Sequence, residues 1–257
     1  MTVKNCSCLD DRSSPIFQYL HPMQDNGSSF KSTPKKHQPR GLTILYEDRE
    51  ILVVDKINGL LTIGTDREKE KTAHFLLNEY VKKGNHRSRN RVFIVHRLDR
   101  DTSGLLIFAK SENSKRYLQE NWPTFSKSYF TIVQGQLAEK EGVITSYLLE
   151  SKAFRVYSVD DPQKGKLAQT GYKVIKESGN FSLLEIQLLT GRKNQIRVHL
   201  AEKGHPVHGD KIYGNEDKGV KRLALHSASL KITHPVTRKE MNFTTGIPTY
   251  FKAVMKG

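Results

Sequence analysis

The sequence predicts an α+β fold: a mixed, largely antiparallel β-sheet flanked by helices. Two observations carry that expectation. Short apolar runs rich in Val, Ile and Leu recur between turn signals, which is the mark of strands. Only a few segments show helical spacing, and they fall irregularly between the strands, so the regular alternation of a parallel βαβ array is absent.

Taken in order, residues 1–40 are rich in Ser, Pro, Asn, Gln and Lys and keep no period of either 2 or 3.6. They are expected to form a flexible polar arm, with Phe17 to Leu20 the one stretch able to dock. One folded domain is expected over 41–257. Strands are expected at Leu42 to Tyr46, Ile51 to Asp55, Phe93 to Val95, Gly104 to Ala109, Tyr129 to Val133 and Phe181 to Leu189. Ile57-Asn58-Gly59 supplies a turn after the second of these. Thr72 to Val81, Ser111 to Asn121 and Asn194 to Glu202 carry apolar residues at helical spacing.

Composition narrows the function. The 257 residues hold 42 Lys and Arg against 27 Asp and Glu, a formal net charge of +15, which attracts polyanions and makes nucleic acid the first candidate partner. No run approaches the roughly 18 to 20 apolar residues of a membrane span, and Met1 to Asp11 lacks the apolar stretch of a signal peptide, so a cytoplasmic location is expected. Cys6 and Cys8 are the only cysteines, too close together for an ordinary bridge and too few for a thiolate metal site. Between Lys82 and Arg116 there are ten Lys or Arg and three acids. Lys82, Lys83, Arg87, Arg89 and Arg91 crowd a polar stretch that reads as a loop facing phosphates, or as a loop charged merely for solubility.

Three segments hold residues capable of chemistry. His96-Arg97-Leu98-Asp99-Arg100-Asp101-Thr102-Ser103-Gly104 is a polar loop between two apolar strands, a placement that fixes side chains at a surface. Nearby positive charge keeps a carboxylate ionised, and an ionised carboxylate can act as a nucleophile. Asp101-Thr102-Ser103-Gly104 suits a tight turn, which leaves Asp99 as the chemical candidate. Thr190-Gly191-Arg192-Lys193-Asn194-Gln195-Ile196-Arg197 follows a strand and opens a helix, where backbone N–H groups and arginines favour anions. With a helix start near Lys193, Ile196 and Leu200 share a face and Arg197 flanks the core, within reach of a buried partner or free to form a surface ion pair. His199, His205 and His208 raise a metal hypothesis, but their spacing does not match a His-x3-His helix pair, and Gly209-Asp210 to Gly214 reads as a structural loop. On the strand Lys127 to Ile132, alternation puts Tyr129 and Thr131 on one face, where Tyr129 either stacks on a base or fills a half-buried site.

Together these residues resemble the RluA-type pseudouridine synthase family. The resemblance rests on His96-Arg97-Leu98-Asp99 with Thr102 to Leu106, Lys127-Ser128-Tyr129 leading to Gly135, and Thr190-Gly191-Arg192 with Gln195 to His199. It continues through Gly204 to Val207 with Gly209-Asp210 and Tyr213-Gly214, then Leu225-His226 and His234-Pro235. It runs from about Gly41 to Met255. The resemblance implies the catalytic-domain fold of that family, an RNA-binding cleft across the sheet, isomerisation of uridine to pseudouridine in structured RNA, ribosomal or transfer, and no metal or organic cofactor. It makes Asp99 the catalytic aspartate, Tyr129 the tyrosine against the target base and Arg197 the arginine paired with the aspartate. Arg97 is then the residue that helps displace the flipped base, and Leu225 lines the pocket. Arg192 and Asn194 are expected at the substrate.

Two departures stand out. Asn194 occupies a position where the family usually carries His, and it can hydrogen-bond but not carry that charge. Residues 1–40 are too short and too polar for the small RNA-binding domain many relatives carry, so RNA selection is expected to rest on the catalytic domain, on its basic loop near Lys82 to Arg91 or on the arm as well. A monomer is expected, since no exposed heptad or long apolar stripe occurs. The competing expectation is a non-catalytic RNA-binding or ribosome-assembly factor on the same fold, distinguished by RNA binding without isomerisation.

Overall fold

The computed structural model describes residues 38–65, 68–214, 220 and 222–256; the polar arm expected over 1–40 lies almost wholly outside the described residues. The strands are β1 (Leu42–Glu47), β2 (Ile51–Lys56), β3 (Phe93–Ile94), β4 (Ser103–Ala109), β5 (Ser126–Gln134), β6 (Glu141–Glu150), β7 (Val156–Val159), β8 (Lys166–Ser178), β9 (Phe181–Leu188), β10 (Leu225–Thr233) and β11 (Glu240–Thr244). The helices are α1 (Ala73–Lys82), α2 (Glu112–Glu120), α3 (Gln195–Glu202) and α4 (Thr249–Val254). Thr72 and Ser111 cap α1 and α2, each side-chain oxygen accepting from the backbone N–H three residues on. All the strands join one sheet in the order β1-β2-β4-β10-β5-β9-β8-β6-β7, with β3 against β4 and β11 against β10. Every pairing is antiparallel except β4 with β10, so the sheet is mixed and largely antiparallel as the sequence predicts.

Strand alternation divides the core between the two faces. Leu52 and Val54 of β2 and Leu106 and Phe108 of β4 pack with α1 and with Ile196 and Leu200 of α3. Ile51, Val53, Leu105 and Ile107 turn the other way, against Leu118 of α2. Tyr129 joins the first face, while Phe130 and Ile132 face α4 through Phe251. Strands buried on both sides read as continuous apolar runs, which is why β2 and β4 are plain in the sequence.

The parallel contact of β4 and β10 is possible only because Gly104 has no side chain. A Cβ there would lie 2.2 Å from the Ser227 carbonyl oxygen, and its φ of +107° is one that side chains disfavour. β10 itself contains His226, whose ring nitrogens bond Ser103 Oγ (2.8 Å) and Thr245 Oγ1 (2.8 Å), so a polar strand fits the middle of the sheet. Among the described residues no helix is long and apolar enough to cross a membrane.

Buried histidines, His199 and His226 among them, make the fold acid-sensitive. Burial pushes His199 and His226 down from 6.5 to about 4. Between those values the unfolded chain takes up protons that the folded chain refuses, so the contribution of these two histidines is held above pH 6.5 and is lost as pH falls toward 4. Urea unfolding should lose about 1 kcal/mol per pH unit for each histidine over this window. His226→Gln should flatten the slope, and a slope unchanged in that variant would refute the assignment.

Candidate active site

Four elements meet at the end of the sheet where β4 and β10 begin. The 95–102 loop leads into β4, Leu225 starts β10, Tyr129 lies on β5, and α3 follows β9. Tyr129, Ser227 and Gly104 are aligned across β5, β10 and β4. Between these elements opens a cleft of about 380 Å³, whose lining includes Asp99, Tyr129, Arg197 and Leu225 together with Arg97, Arg192 and Asn194.

The loop carrying Asp99 is held from beneath by its own neighbours. Thr62 Oγ1 donates to the Leu98 carbonyl at 2.8 Å and accepts from the Leu98 N–H at 3.2 Å. Lys56, the last residue of β2, is fully buried and donates to the carbonyls of Ile57 (3.1 Å), Leu60 (2.8 Å) and Arg100 (3.1 Å). Three donors of an ammonium meet three acceptors, so the cation is satisfied. Burial pushes Lys56 down to about 8, against the opposing pull of Asp101, Asp99 and Asp55. The Gly59 N–H adds a bond to the Arg100 carbonyl at 2.9 Å, and the Thr102 N–H closes the turn on the Asp99 carbonyl at 3.2 Å.

On the other side of Asp99 stands Arg197. Its Nε and Nη2 grip Asp210 at 2.7 and 2.8 Å, a bidentate pair in which the Asp210 side chain is wholly buried. Its Nη1 is left for Asp99 Oδ2 at 3.3 Å and Asn194 Oδ1 at 3.3 Å. Burial opposes both charges of the inner pair, yet the pairing prevails: Arg197 is held above its ordinary value and Asp210 below. Asp210 also accepts from the N–H groups of Ile212 and Tyr213. Asp99 keeps about a third of its side chain exposed (32%), so an oriented carboxylate faces the cleft.

Asn194 and Tyr213 complete the support. Asn194 takes a left-handed backbone (φ 53°) immediately before α3, and its Nδ2 donates to the Tyr213 hydroxyl at 3.1 Å. The Tyr213 ring lies 5.2 Å from the Arg197 guanidinium. Asp210 is brought in by the segment before it, which is pinned to β5 by the His208 N–H on the Ile132 carbonyl and the Gln134 N–H on the Pro206 carbonyl. At Gly209 a Cβ would come within 2.1 Å of the Arg222 carbonyl oxygen, so the turn into Asp210 admits only glycine. Burial pushes the Tyr129 phenol up to about 12.

Several expectations need correction. The helix expected over Asn194 to Glu202 starts one residue later, because Asn194 turns left-handed to reach Arg197. The partner that fixes Arg197 most tightly is Asp210, in the segment read as a structural loop; Asp99 receives the remaining donor. Lys82, expected in a loop, ends α1 and pairs with Glu79 at 2.8 Å, while Lys83 caps that helix in a left-handed turn. Arg87, Arg89 and Arg91 are exposed, with Arg91 stacked on Phe93. Lys82 and Arg91 line a second groove beside α1, so the structure does not bring the basic stretch into the cleft. The histidines weighed as metal ligands serve other contacts: His199 bonds Ser146 and Thr170, and His205 bonds the Gln134 carbonyl. Sequence reasoning missed Asp210, Lys56, Trp122 and Lys127, the last two also lining the cleft.

The inner ion pair should dominate local stability. Asp210→Ala strands the Arg197 guanidinium and is expected to cost about 3–5 kcal/mol by urea unfolding. Replacing both members, Arg197→Met with Asp210→Leu, should recover much of that loss. A cost below about 1 kcal/mol for Asp210→Ala would contradict the pairing.

Comparison with known proteins follows the same lines. The family model described as RNA pseudouridylate synthase matches residues 50–202, more than half the chain. An uncharacterized RNA pseudouridine synthase of Mycoplasma pneumoniae is 34% identical over 86% of this chain and 72% of its own length. A ribosomal large subunit pseudouridine synthase C of Vibrio vulnificus is 32% identical over 83% of this chain and 68% of its own. Among solved structures, human RNA pseudouridylate synthase domain containing 4 superposes with a TM-score of 0.68 at 23% identity, covering 81% of this chain and 90% of that one, and supports the fold.

Proposed function

The chain belongs to the RNA pseudouridylate synthase family and is an RNA pseudouridine synthase, and from that premise we propose that it isomerises specific uridines in structured RNA, ribosomal or transfer, using Asp99 on a nucleotide flipped into the cleft. The observation that carries the residue assignment is the Asp99 carboxylate, presented at the cleft by Arg197 Nη1 at 3.3 Å beside Tyr129 and Leu225.

The reaction gains and loses no atoms. The bond from uracil N1 to ribose C1′ breaks, the base turns within the pocket, C5 bonds to C1′, the C5 proton leaves and N1 takes up a proton. Such a sequence needs an oriented carboxylate, walls that retain the detached uracil, and a group to fill the vacated stack. Asp99 supplies the carboxylate, Tyr129 and Leu225 the walls, and Arg97, at the cleft edge, the filler. Arg197 orients Asp99 while Asp210 holds Arg197, and Asn194 steadies the same guanidinium. Arg192, exposed at the rim with Nε on the Leu167 carbonyl, is aligned for the substrate backbone.

Outside the cleft, Lys82, Lys83, Arg87, Arg89 and Arg91 contact RNA phosphates beyond the target nucleotide. Their charge offsets the few kcal/mol that unstacking costs.

The test is a pseudouridine map of cellular RNA from a strain lacking this protein and complemented with wild type or Asp99→Asn. One site should vanish and return only with wild type, and the purified variant should fall roughly 10⁴-fold or more in rate while binding RNA nearly as tightly. Restoration by both proteins would remove Asp99 from the mechanism. Separately, replacing Arg87, Arg89 and Arg91 by Ala should lower the slope of log affinity against log salt by about 0.7–0.9 for each phosphate no longer neutralised. An unchanged slope would place RNA binding elsewhere on the surface.

A further inference from the structure

A second buried cation reaches the cleft from β5. Lys127 and Tyr129 share one face of that strand, about 7 Å apart along it, and both line the cleft. The Lys127 residue is 6% exposed. Its Nζ donates to the Trp122 carbonyl at 2.8 Å and lies 5.5 Å from the centre of the Trp122 ring. Trp122 in turn stacks on His96, ring centres 4.2 Å apart. His96 is neutral, pushed down to about 3 by burial and then by Lys127, and its Nε2 accepts from the Ile107 N–H.

The three buried cations of this region differ in how they are compensated. Arg197 is shared by Asp210 and Asp99, and Lys56 spends its three donors on three carbonyls within the field of three carboxylates. Lys127 uses one donor of three on Trp122, and burial alone pushes it down to about 8, with no acidic side chain among the described residues to oppose the shift. An uncompensated cation in a desolvated site is costly, and an anion entering that site repays the cost. The uracil ring offers only neutral oxygens; the anion that a flipped nucleotide brings with it is its phosphate.

We propose that Lys127 is a substrate-binding residue that holds the phosphate of the flipped uridine, its ammonium seated on the Trp122 ring. This rests on the reading of the cleft as a uridine pocket and adds to it the site that receives the nucleotide's charge. Trp122 is the only tryptophan in the chain, so intrinsic fluorescence reports directly on the ring beneath Lys127.

The experiment titrates the full chain with uridine, with 5′- and 3′-uridine monophosphate and with inorganic phosphate, following Trp122 emission. One of the two monophosphates should perturb the emission and bind about tenfold or more tightly than uridine. The preference should vanish in Lys127→Met and survive in Lys127→Arg. Should Lys127→Met fold poorly, as its melting curve would reveal, Lys127→Gln takes its place. The proposal is overturned if uridine and both monophosphates bind alike, if the preference persists without the charge, if inorganic phosphate binds as tightly as the nucleotide, or if no nucleotide alters the emission up to its solubility. Because this measurement needs no turnover, the two readings fail separately. An active wild type without the phosphate preference sinks only the role of Lys127, whereas a wild type that modifies no RNA sinks the uridine-pocket reading.

Discussion

The arrangement depends on one guanidinium divided among three acceptors. Arg197 cannot leave α3, and two of its nitrogens are committed to a carboxylate with no access to water. The third can point in only one direction, and there it meets Asp99. A single surface ion pair would leave both partners free to rotate and contribute little. Here the inner pair removes that freedom first, so the outer contact aims a side chain at little further entropic cost. The inner pair is the support and the outer one the device.

Asp99 is fixed from below by a different kind of contact. Lys56 gathers three carbonyls at the turn, and Thr62 holds Leu98 by both its N–H and its C=O. These bonds restrain backbone, whereas Arg197 restrains the side chain. Backbone and side chain are thus set by different elements of the fold, the first by β2 and the segment after it, the second by α3. That division makes a loop as well placed as a residue inside a strand.

Much of this was legible in the sequence, unevenly and for physical reasons. β1, β2, β4, β5 and β9 show as apolar runs because they face core on one or both sides. β6, β7 and β8 were not foreseen: they form one end of the sheet, and Lys166 to Ser178 mixes polar and apolar residues without a period of 2, with Lys166 and Lys176 exposed. β10 was hidden for another reason, since it is central yet carries His226 and Ser227, polar groups tolerated there because neighbours bond them. Asp99 could be singled out by its loop, whereas the place of Arg197 at the start of a helix left both a buried partner and a surface ion pair open, and only the family resemblance singled it out. Asp210 and Lys56 could not, because each matters through a partner distant in the chain. A buried acid beside Gly209 and a lysine ending an apolar strand look ordinary until the chain folds over them.

The single parallel contact between β4 and β10 also governs when the cleft can exist. β10 lies between β4 and β5, neighbours in the chain that never pair with each other. The sheet from β4 to β5 therefore cannot be complete until β10, close to the end of the given sequence, has been made. Closing so long a loop before any contact rewards it is slow, and an unfilled gap exposes two strand edges meanwhile. During synthesis the growing chain thus holds an aspartate, an arginine and a tyrosine but no enclosed pocket. The strand order thus ties closure of the cleft to one of the last strands of the sheet.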